Sequence, residues 1–500
     1  MTLNGVFMCN LIFSISLLIA HKFHLLEYAK AGLKLKGINL EMKLENLSLP
    51  KNLDQILKEI EGQGGTPLLV GGAVRDAFLG IQSKDIDIEV HGITLNNLQK
   101  VLEKFGPVSE VGKSFGVLRL HNVDIDWSIP RKDKSGRHPE VVLDQNLDLK
   151  EAFARRDLTI NSMGVNLLNG ELIDLFSGAE DLKNKNLKAT DPNFFVEDPL
   201  RFFRVMQFVG RLEFQPDEQL NELCKKIDLS KISKERISNE FEKLFLKSKR
   251  PSLGIKWLKK IGRLNEILPE LQDTIGVEQN PEYHPEGDVF EHLMQALDFA
   301  AIQNYNSEEE KLLMVCAALC HDLGKAVSTK VIDGKIRSIG HEDTGEPLAK
   351  KMMSRITEKK DLINNIAKLT KFHMKPGNYL RNGAKDSTYK KLAWMLAPDI
   401  TMMQLYQLFC ADILGRNQAG GNPLQGPDEN CESFLKKAID LGILKEPEKH
   451  LLSGKDLQNC GVKPGPKLGD ILKEAYLIQL EKGIKSKEVL LQKVLDKQKV

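Results

Sequence analysis

The segment from Asp85 to Val90 limits the fold of this chain more than any other, because polar and apolar residues alternate in it at every position. A period of two is that of a β-strand with one buried face, so Asp85 and Asp87 are predicted to share the other face. Two carboxylates this close repel each other, and a hard divalent cation bound by oxygen atoms relieves that repulsion. The segment therefore predicts a strand that binds a metal such as magnesium.

A glycine pair precedes this strand. Residues 68–70 are typical of a short buried strand, Gly71 and Gly72 follow them, and the residues from Ala73 to Leu79 are typical of the start of a helix. Glycine lets the backbone approach a ligand closely, and a helix N-terminus attracts a phosphate group. A DxD pair alone is common on protein surfaces, but the combination predicts a metal-dependent nucleotidyl-transfer site.

Four motifs carry a family resemblance. GGAVRD begins at Gly71, DIDIEV at Asp85, RRDLTIN at Arg155 and EDPLRFFR at Glu197. Together they resemble the nucleotidyltransferase branch that contains the CCA-adding enzymes and the bacterial poly(A) polymerases. The resemblance implies an α/β palm, with a mixed sheet and helices, followed by an all-α neck.

The same resemblance implies roles for individual residues. Asp85, Asp87 and Asp126 are expected to be catalytic, with Asp85 and Asp87 binding Mg²⁺. Asp124 has the same parity as Asp126 in the segment DIDWSIPR, so both stay open as the third carboxylate. The residues expected to bind the nucleotide are Gly72, Arg75, Arg155, Arg156, Asp157, Asn161, Asp198, Arg201 and Arg204.

Asp198 and Arg201 have side chains suited to reading a base. An aspartate accepts a hydrogen bond from an exocyclic amino group, and an arginine donates to a ring nitrogen or a carbonyl. Cytosine and adenine both present an amino donor beside an acceptor, whereas guanine and uracil present the reverse order. One such pair on one side of a helix could accept CTP and ATP and reject GTP and UTP. The alternative is an intrahelical salt bridge worth about 0.2–0.5 kcal/mol.

A second constellation lies in the C-terminal half. His321 and Asp322 end an apolar helical run and are followed by Gly324, which terminates it. With His292 upstream and Asp412 downstream, the order resembles the HD phosphohydrolase superfamily. In that family four such residues bind a divalent metal, here expected to be Ni²⁺, Mg²⁺ or Mn²⁺. His341 and His373 are further candidates for metal or phosphate contact, although a lone histidine is more often a core or surface residue.

The two halves together resemble the bacterial multifunctional CCA protein family. That resemblance implies the addition of CCA to tRNA from CTP and ATP, and an all-α HD domain that hydrolyses 2',3'-cyclic phosphates, 2'-nucleotides and other phosphate esters. One alternative is a poly(A) polymerase of the same fold. An alternative of another class is an RNA-end phosphohydrolase with a vestigial transferase head, against which the intact Asp85 and Asp87 argue. The oligomeric state stays open between monomer and homodimer.

Length and cysteine content support this division. The 500 residues suggest two to four domains, and seven cysteines without a CxxC pair argue against zinc ribbons and for a reducing, cytoplasmic location. We expect an N-terminal extension (1–41), the palm (42–167), the helical neck that recognises the base (168–250), a helical body with the HD domain (251–418) and a helical tail with tRNA contacts (419–500).

The N-terminus conflicts with a cytoplasmic location, because the segment from Val6 to Ala20 is largely apolar. It could be a signal peptide or anchor, an organelle-targeting segment, or the product of a start codon assigned too far upstream. We favour the last interpretation, with Met42 as the start. No stable association with a membrane is then expected.

Overall fold

The computed structural model describes residues 33–34, 41–42, 52–82, 85–111, 116–133, 141–417, 424 and 426–498. The chain divides into two compact units. One comprises Met1–Val205 and Phe214–Ser230, and the other comprises Met206–Glu213 and Lys231–Val500. The predicted neck is therefore shared between both units, and the boundaries given above for palm, neck, HD body and tail stay predictions.

Short strands and longer helices alternate in the first unit, and helices predominate in the second. The described strands are β1 (Leu33–Lys34), β2 (Glu41–Met42), β3 (Thr66–Val70), β4 (Ile86–His91), β5 (Val108–Val111), β6 (Val117–Leu120), β7 (Ile125–Ser128), β8 (Arg131–Asp133), β9 (Val141–Leu143), β10 (Gly164–Asn166), β11 (Leu172–Ile173), β12 (Asn186–Leu187), β13 (Gln215–Pro216), β14 (Lys330–Ile332) and β15 (Lys335–Arg337). The described α-helices are α1 (Leu53–Gly62), α2 (Gly72–Phe78), α3 (Leu95–Glu103), α4 (Leu149–Ala154), α5 (Gly178–Asn184), α6 (Pro192–Glu197), α7 (Leu200–Leu212), α8 (Glu218–Lys226), α9 (Lys234–Lys247), α10 (Ser252–Lys260), α11 (Leu264–Ile267), α12 (Pro269–Gln272), α13 (Val289–Ala301), α14 (Glu308–Cys320), α15 (Lys325–Ser328), α16 (His341–Ile356), α17 (Lys360–Phe372), α18 (Lys375–Arg381), α19 (Asp386–Leu396), α20 (Met402–Leu414), α21 (Glu429–Asp440), α22 (Gly454–Asn459), α23 (Pro466–Lys482) and α24 (Lys487–Gln498). A 3₁₀ turn, Thr159–Asn161, precedes β10.

A mixed sheet forms the first unit. Seven of the described strands pair in the order β11-β10-β3-β4-β7-β6-β5, with β4 and β7 parallel and the other neighbours antiparallel. Ile86, Ile88 and Val90 of β4 are buried, so the alternation in DIDIEV has the predicted consequence. The mixed sheet with helices that we predicted for the palm is confirmed.

Five helices pack together in the second unit: α13, α14, α16, α17 and α20. Every residue of α14 from Leu312 to Cys320 is buried, as expected for a helix surrounded by others. The predicted helical HD body is confirmed. Among the described residues, no helix has the length and apolar character that crossing a membrane requires. The segment from Val6 to Ala20 lies outside the described residues.

One part of the second unit differs from the helical body that we expected over residues 251–418. Strands β14 and β15 form an antiparallel hairpin. Asp333 and Gly334 at its turn have φ values of 51° and 70°. Positive φ at both central residues is the type I′ geometry, which Asp-Gly favours strongly. The expectation was wrong because this local turn signal outweighs the helical context.

Candidate functional site

The candidate metal-binding carboxylates of the first unit lie on, or one residue before, the two parallel strands β4 and β7. Asp87 of β4 is directly opposite Asp126 of β7. Asp85 comes one residue before β4, and Asp124 comes one residue before β7. Asp124 is therefore level with Asp85 and not with Asp87. This register favours Asp126 over Asp124 as the third carboxylate beside Asp87.

The charges of these acids are incompletely balanced. Surrounding protein atoms desolvate the carboxyl group of Asp87 and raise its pKa. The charge of Arg156 lowers this pKa, those of Asp126 and Asp85 raise it, and the net shift is upward. Asp126 pairs with Arg119 at 2.5 Å between Oδ1 and Nη2, but both side chains reach solvent, where such pairs contribute little. A cluster of this kind fits a divalent cation bound by oxygen atoms.

The glycine turn lies beside the acids. Gly71 has a φ of 74°, and a Cβ atom there would lie 3.0 Å from Nη1 of Arg156 and 3.9 Å from Oδ2 of Asp87. A side chain at this position would strain the backbone and displace the Arg156 guanidinium. Gly72 begins α2, where a Cβ atom would lie 3.4 Å from Nη2 of Arg75. The turn thus brings Arg156 close to Asp87.

Four of the residues predicted to bind nucleotide form one hydrogen-bonded network. Arg75 donates to Oδ1 of Asn161 at 2.5 Å, and Asn161 donates to Oδ1 of Asp157 at 2.9 Å. Arg204 donates to the other oxygen of Asp157 at 2.5 Å. Arg75, Asp157 and Asn161 are only 4%, 7% and 5% exposed. Such burial suits residues that position the surrounding backbone.

The pKa of Asp157 reports the strength of this network. Burial alone would raise it, but the charge of Arg204 and the hydrogen bonds from Asn161 and Arg204 outweigh burial and lower the pKa to about 2. Because the folded-state pKa is depressed, the resulting stability is complete well above the ordinary value of 3.8 and is lost as the pH falls toward about 2.

We therefore expect Asp157→Asn to lower the free energy of unfolding of the first unit by about 2 kcal/mol at pH 7, since an energy of that order corresponds to the pKa shift. The loss should be equal at pH 5 and clearly smaller at pH 3. Urea unfolding measures it in a background with Trp257→Phe and Trp394→Phe, where Trp127 fluorescence reports on the first unit. Asp124→Asn, at an exposed carboxylate, is the control. If Asp157→Asn lowered the free energy of unfolding by the same amount at pH 3 as at pH 7, the ionic explanation would be contradicted.

The EDPLRFFR segment differs in one respect from expectation. Helix α7 begins at Leu200, and Asp198 precedes it in an extended conformation with φ −113° and ψ 100°. Its Oδ1 accepts a hydrogen bond from the N–H of Leu200 at 3.1 Å. Pro199 explains this, because the residue before a proline disfavours the helical conformation. The expectation that Asp198 and Arg201 lie on one side of a helix was therefore wrong, although Asp198 still adjoins the helix that carries Arg201.

Arg201 is fixed by backbone groups. Its Nη2 donates to the carbonyl of Arg155 at 2.5 Å, and its Nη1 donates to the carbonyl of Phe194. Burial lowers the pKa of Arg201, and the charges of Asp157 and Asp198 oppose that effect. Two bonds to main-chain oxygens fix the guanidinium plane and leave further N–H donors of the fork for a ligand.

Sequence reasoning missed Glu89, the third acid of DIDIEV. Its Oε1 lies 3.0 Å from Nε2 of His91, and its Oε2 lies 3.6 Å from Nη2 of Arg156. Burial would raise its pKa, but the hydrogen bond from His91 and the charge of Arg156 lower it. Glu89 shares the parity of Asp85 and Asp87, which is the signal that could have identified it. Its partners make it a positioning residue for Arg156.

The second cluster is deeply buried. Its members come from helices α13, α14, α16, α17 and α20 or directly follow them: His292, His321, Asp322, His341, His373 and Asp412. His321 and Asp322 follow the end of α14 at Cys320, as predicted for the apolar run. The structure brings all six predicted residues of the second unit together, although they are spread over more than a hundred positions of the sequence.

The ligand atoms of this cluster form overlapping groups. One group within 4.8 Å contains His292, His321 and Asp322, and another contains Asp322, His341 and His373. Asp412 joins the first group, with Oδ1 3.3 Å from Nε2 of His292. Imidazole and carboxylate ligands together suit a divalent transition metal, Mn²⁺ included.

Cations adjoin both acids. Nζ of Lys325 lies 2.6 Å from Asp322, and Nη2 of Arg416 lies 2.5 Å from Asp412. Burial would raise the pKa of each acid, but these charges and the nearby imidazoles outweigh burial and hold both pKa values well below the ordinary range. Both groups are therefore carboxylates at neutral pH, as metal ligands must be.

Glu286 is a further residue that sequence reasoning missed. Its Oε1 lies 2.9 Å from Nδ1 of His284 and 3.0 Å from Nδ1 of His292. A carboxylate behind a histidine fixes the tautomer and orients the ring toward a metal. The sequence signal for Glu286 is its place in the segment HPEGD, just before the helix α13 that carries His292.

Comparisons with known proteins agree with this arrangement. The family model described as "Poly A polymerase head domain" matches residues 68–188, "HD domain" matches residues 289–400, and "Probable RNA and SrmB- binding site of polymerase A" matches residues 213–275. The chain is 33% identical over 298 residues to the multifunctional CCA protein of Pasteurella multocida, a match that covers 57% of this chain and 69% of that relative. The chain belongs to the multifunctional CCA protein family. The predicted class, a CCA tRNA nucleotidyltransferase, is confirmed at the level of this family.

Solved structures show the fold of the family. The Bacillus stearothermophilus CCA-adding enzyme in complex with CTP has a TM-score of 0.62 and 18% identity, and the match covers 90% of this chain and 97% of that one. The Thermotoga maritima CCA-adding enzyme complexed with tRNA has a TM-score of 0.55 and 21% identity, covering 90% and 96%. This chain therefore shares the fold of the CCA-adding enzymes.

Proposed function

We propose that this chain adds CCA to tRNA 3' ends from CTP and ATP without a nucleic-acid template, and that its HD domain is a metal-dependent phosphohydrolase. The observation that carries the first part is the register that sets Asp87 opposite Asp126 beside the Gly71 turn, in a chain of the multifunctional CCA protein family. The names of related structures, which contain CTP or tRNA, support these partners.

Asp85, Asp87 and Asp126 would bind Mg²⁺. When bound there, Mg²⁺ lowers the pKa of the attacking 3'-hydroxyl and stabilises the leaving pyrophosphate. The protein itself contributes position and charge: Arg156, beside Gly71 and Asp87, would contact the triphosphate, and the network around Asp157 would fix the segment that carries Arg155 and Arg156.

Asp198 and Arg201 would replace a template. The hydrogen bond from Leu200 fixes the carboxylate of Asp198, and two backbone carbonyls fix the guanidinium of Arg201. Rigid partners discriminate strongly, since a base with the reversed donor and acceptor order leaves both groups unpaired. The pair therefore supports a choice of cytosine and adenine over guanine and uracil.

We expect Glu89→Gln to raise KM for CTP about fivefold while changing kcat by less than about twofold, because the amide loses the charge that orients Arg156 toward the substrate. Steady-state incorporation of CMP into tRNA that lacks CCA measures both constants. Glu103→Gln, an exposed acid of α3, is the control. A fall in kcat at unchanged KM would mean that Glu89 acts with the metal-binding acids and not through Arg156.

The HD domain would hydrolyse phosphate esters, including 2',3'-cyclic phosphates and 2'-nucleotides. His292, His321, Asp322 and Asp412 would bind Ni²⁺, Mg²⁺ or Mn²⁺, which when bound polarises a phosphoryl oxygen and activates water. Lys325 and Arg416 would supply positive charge for the phosphate group. Cys316, Cys320, Cys410, Cys431 and Cys460 are free thiols, which supports a reducing, cytoplasmic location.

One experiment tests the proposal. Purified protein is incubated with Mg²⁺ and tRNA that lacks CCA, with CTP alone, ATP alone or both, and the 3' ends are sequenced. We expect addition to stop at CCA. A long adenosine tail from ATP alone would favour the poly(A) polymerase. No addition by folded protein, together with hydrolysis of 2',3'-cyclic AMP, would favour the RNA-end phosphohydrolase.

A further inference from the structure

We propose that the hairpin of β14 and β15 binds the backbone of a single-stranded RNA whose 3' end reaches the buried cluster of the HD domain. The residues that carry the inference are Lys330, Lys335 and Arg337, which we call the hairpin cations. The inference deepens the phosphohydrolase proposed above, because it adds a surface for the substrate strand, and it rests on that proposal for the reaction.

The hairpin cations share one face of the hairpin. Lys330 lies opposite Arg337, and Lys335 lies opposite Ile332. In an antiparallel pair, residues directly opposite each other share a face, and so do residues two positions apart on one strand. All three cations are exposed to solvent, whereas Ile332 is half-buried. The sequence and the register thus concentrate positive charge on one small surface.

The hairpin cations are not neutralised by neighbouring acids. Among the residues that the structure describes, no carboxylate forms an ion pair with any of the three. Residues 327–339 contain a single acid, Asp333, at the turn. Like charges on one face of a hairpin repel each other, and a chain of phosphate groups relieves that repulsion. The surface is therefore complementary to the backbone of a nucleic acid.

The same segment exposes apolar side chains. Val331, Ile339 and Val327 are 70%, 70% and 62% exposed, more than any other large apolar side chain among the described residues. Phosphate groups contact cations, whereas apolar side chains contact bases, and bases are accessible where a strand is unpaired. Cations beside exposed apolar side chains therefore favour a single strand over a duplex.

Hydrogen bonds join the hairpin to the buried cluster. The hydroxyl groups of Thr329 and Ser338, at the open end of the hairpin, lie 2.7 Å apart. The carbonyl of Ser338 accepts a hydrogen bond from Nδ1 of His341 at 2.7 Å. Helix α15, which precedes the hairpin, begins at Lys325, whose Nζ lies 2.6 Å from Asp322. Both ends of the hairpin segment thus adjoin the cluster, and a strand bound there has its 3' end close to Lys325.

The dependence of hydrolysis on salt tests the inference. The substrates are 2',3'-cyclic AMP and an RNA of about twelve nucleotides that ends in a 2',3'-cyclic phosphate. In both, water forms a bond to phosphorus, the bond to one ribose oxygen breaks, and that oxygen takes a proton. Since three phosphate contacts on a single strand give a logarithmic slope of about −2, we expect kcat/KM for the RNA to fall about twentyfold between about 50 and 200 mM salt. The value for 2',3'-cyclic AMP should change less than about twofold.

Replacing the three hairpin cations together with glutamine should lower kcat/KM for the RNA at least about tenfold at low salt, mainly through KM, and should remove most of its salt dependence. Hydrolysis of 2',3'-cyclic AMP should stay within about twofold. If this variant does not fold, Arg337→Gln alone should reduce the slope by about 0.7. A matched control replaces three exposed lysines on other helices of the same unit with glutamine and should match the original protein: Lys260, Lys436 and Lys493.

Photocrosslinking tests the surface without hydrolysis. The same RNA, with 4-thiouridine next to its 3' end and no added metal, should crosslink to residues 327–339, as mapped by mass spectrometry. Crosslinks there, without hydrolysis of either substrate, would overturn the phosphohydrolase and keep the RNA surface.

Two results would overturn the RNA surface and keep the phosphohydrolase. The first is equal hydrolysis of the RNA by the original protein and the triple glutamine variant, with crosslinks elsewhere, in which case the hairpin would fit an acidic protein. The second is loss of hydrolysis of both substrates by the folded triple variant, because the cations would then act on the reaction and not on the strand.

Discussion

Replacing Asp87 with alanine should reduce CMP incorporation into tRNA that lacks CCA about a thousandfold, which corresponds to about 4 kcal/mol of transition-state stabilisation. Hydrolysis of 2',3'-cyclic AMP by the same protein should stay within about twofold of its original rate, because every residue proposed for that reaction lies in the other unit. Single-turnover incorporation and steady-state hydrolysis measure the two activities on one preparation.

The pair Asp124 and Asp126 provides the matched comparison. We expect Asp126→Ala to lose activity to a degree similar to Asp87→Ala, since the register sets the two acids opposite each other. Asp124→Ala should retain incorporation within about threefold, because the register places Asp126 and not Asp124 opposite Asp87. If Asp124→Ala were the more damaging substitution, the third carboxylate would be Asp124 and our assignment would be wrong.

His321→Ala should have the opposite effect. Removing one imidazole from a buried metal site should reduce hydrolysis of 2',3'-cyclic AMP at least about a hundredfold, since loss of a ligand weakens metal binding and the positioning of the phosphate group. Addition of CCA should stay within about twofold. His450→Ala controls for loss of a histidine elsewhere in the same unit. Loss of both activities in a folded His321→Ala protein would refute the assignment of one activity to each unit.

Local pattern was sufficient to predict the palm. The alternation in DIDIEV is set by the pleat of a strand, and Ile86, Ile88 and Val90 are buried as that period requires. The choice between Asp124 and Asp126 needed the register of β4 against β7. Residues of equal parity point to the same face of the sheet, and sequence alone does not say which of them lies opposite a given residue of the neighbouring strand.

Two other outcomes depended on backbone chemistry that the sequence contains. Pro199 excludes Asp198 from the helix, and Asp333-Gly334 favours a hairpin turn inside a helical region. Both signals are present in the sequence, but in each region we gave more weight to the expected helix. By contrast, the meeting of His341 and His373 at Asp322 depends on how five helices pack, and no spacing in the sequence determines such distances.

The backbone contacts of the HD histidines have a consequence for variation in the sequence. His321, His341 and His373 are each oriented by the carbonyl three residues earlier in the chain. Any amino acid supplies that carbonyl, so the orientation of these three histidines does not depend on the side chains at positions 318, 338 and 370. His292 instead depends on the side chain of Glu286, so a saturation library would find a stricter requirement at position 286 than at the other three.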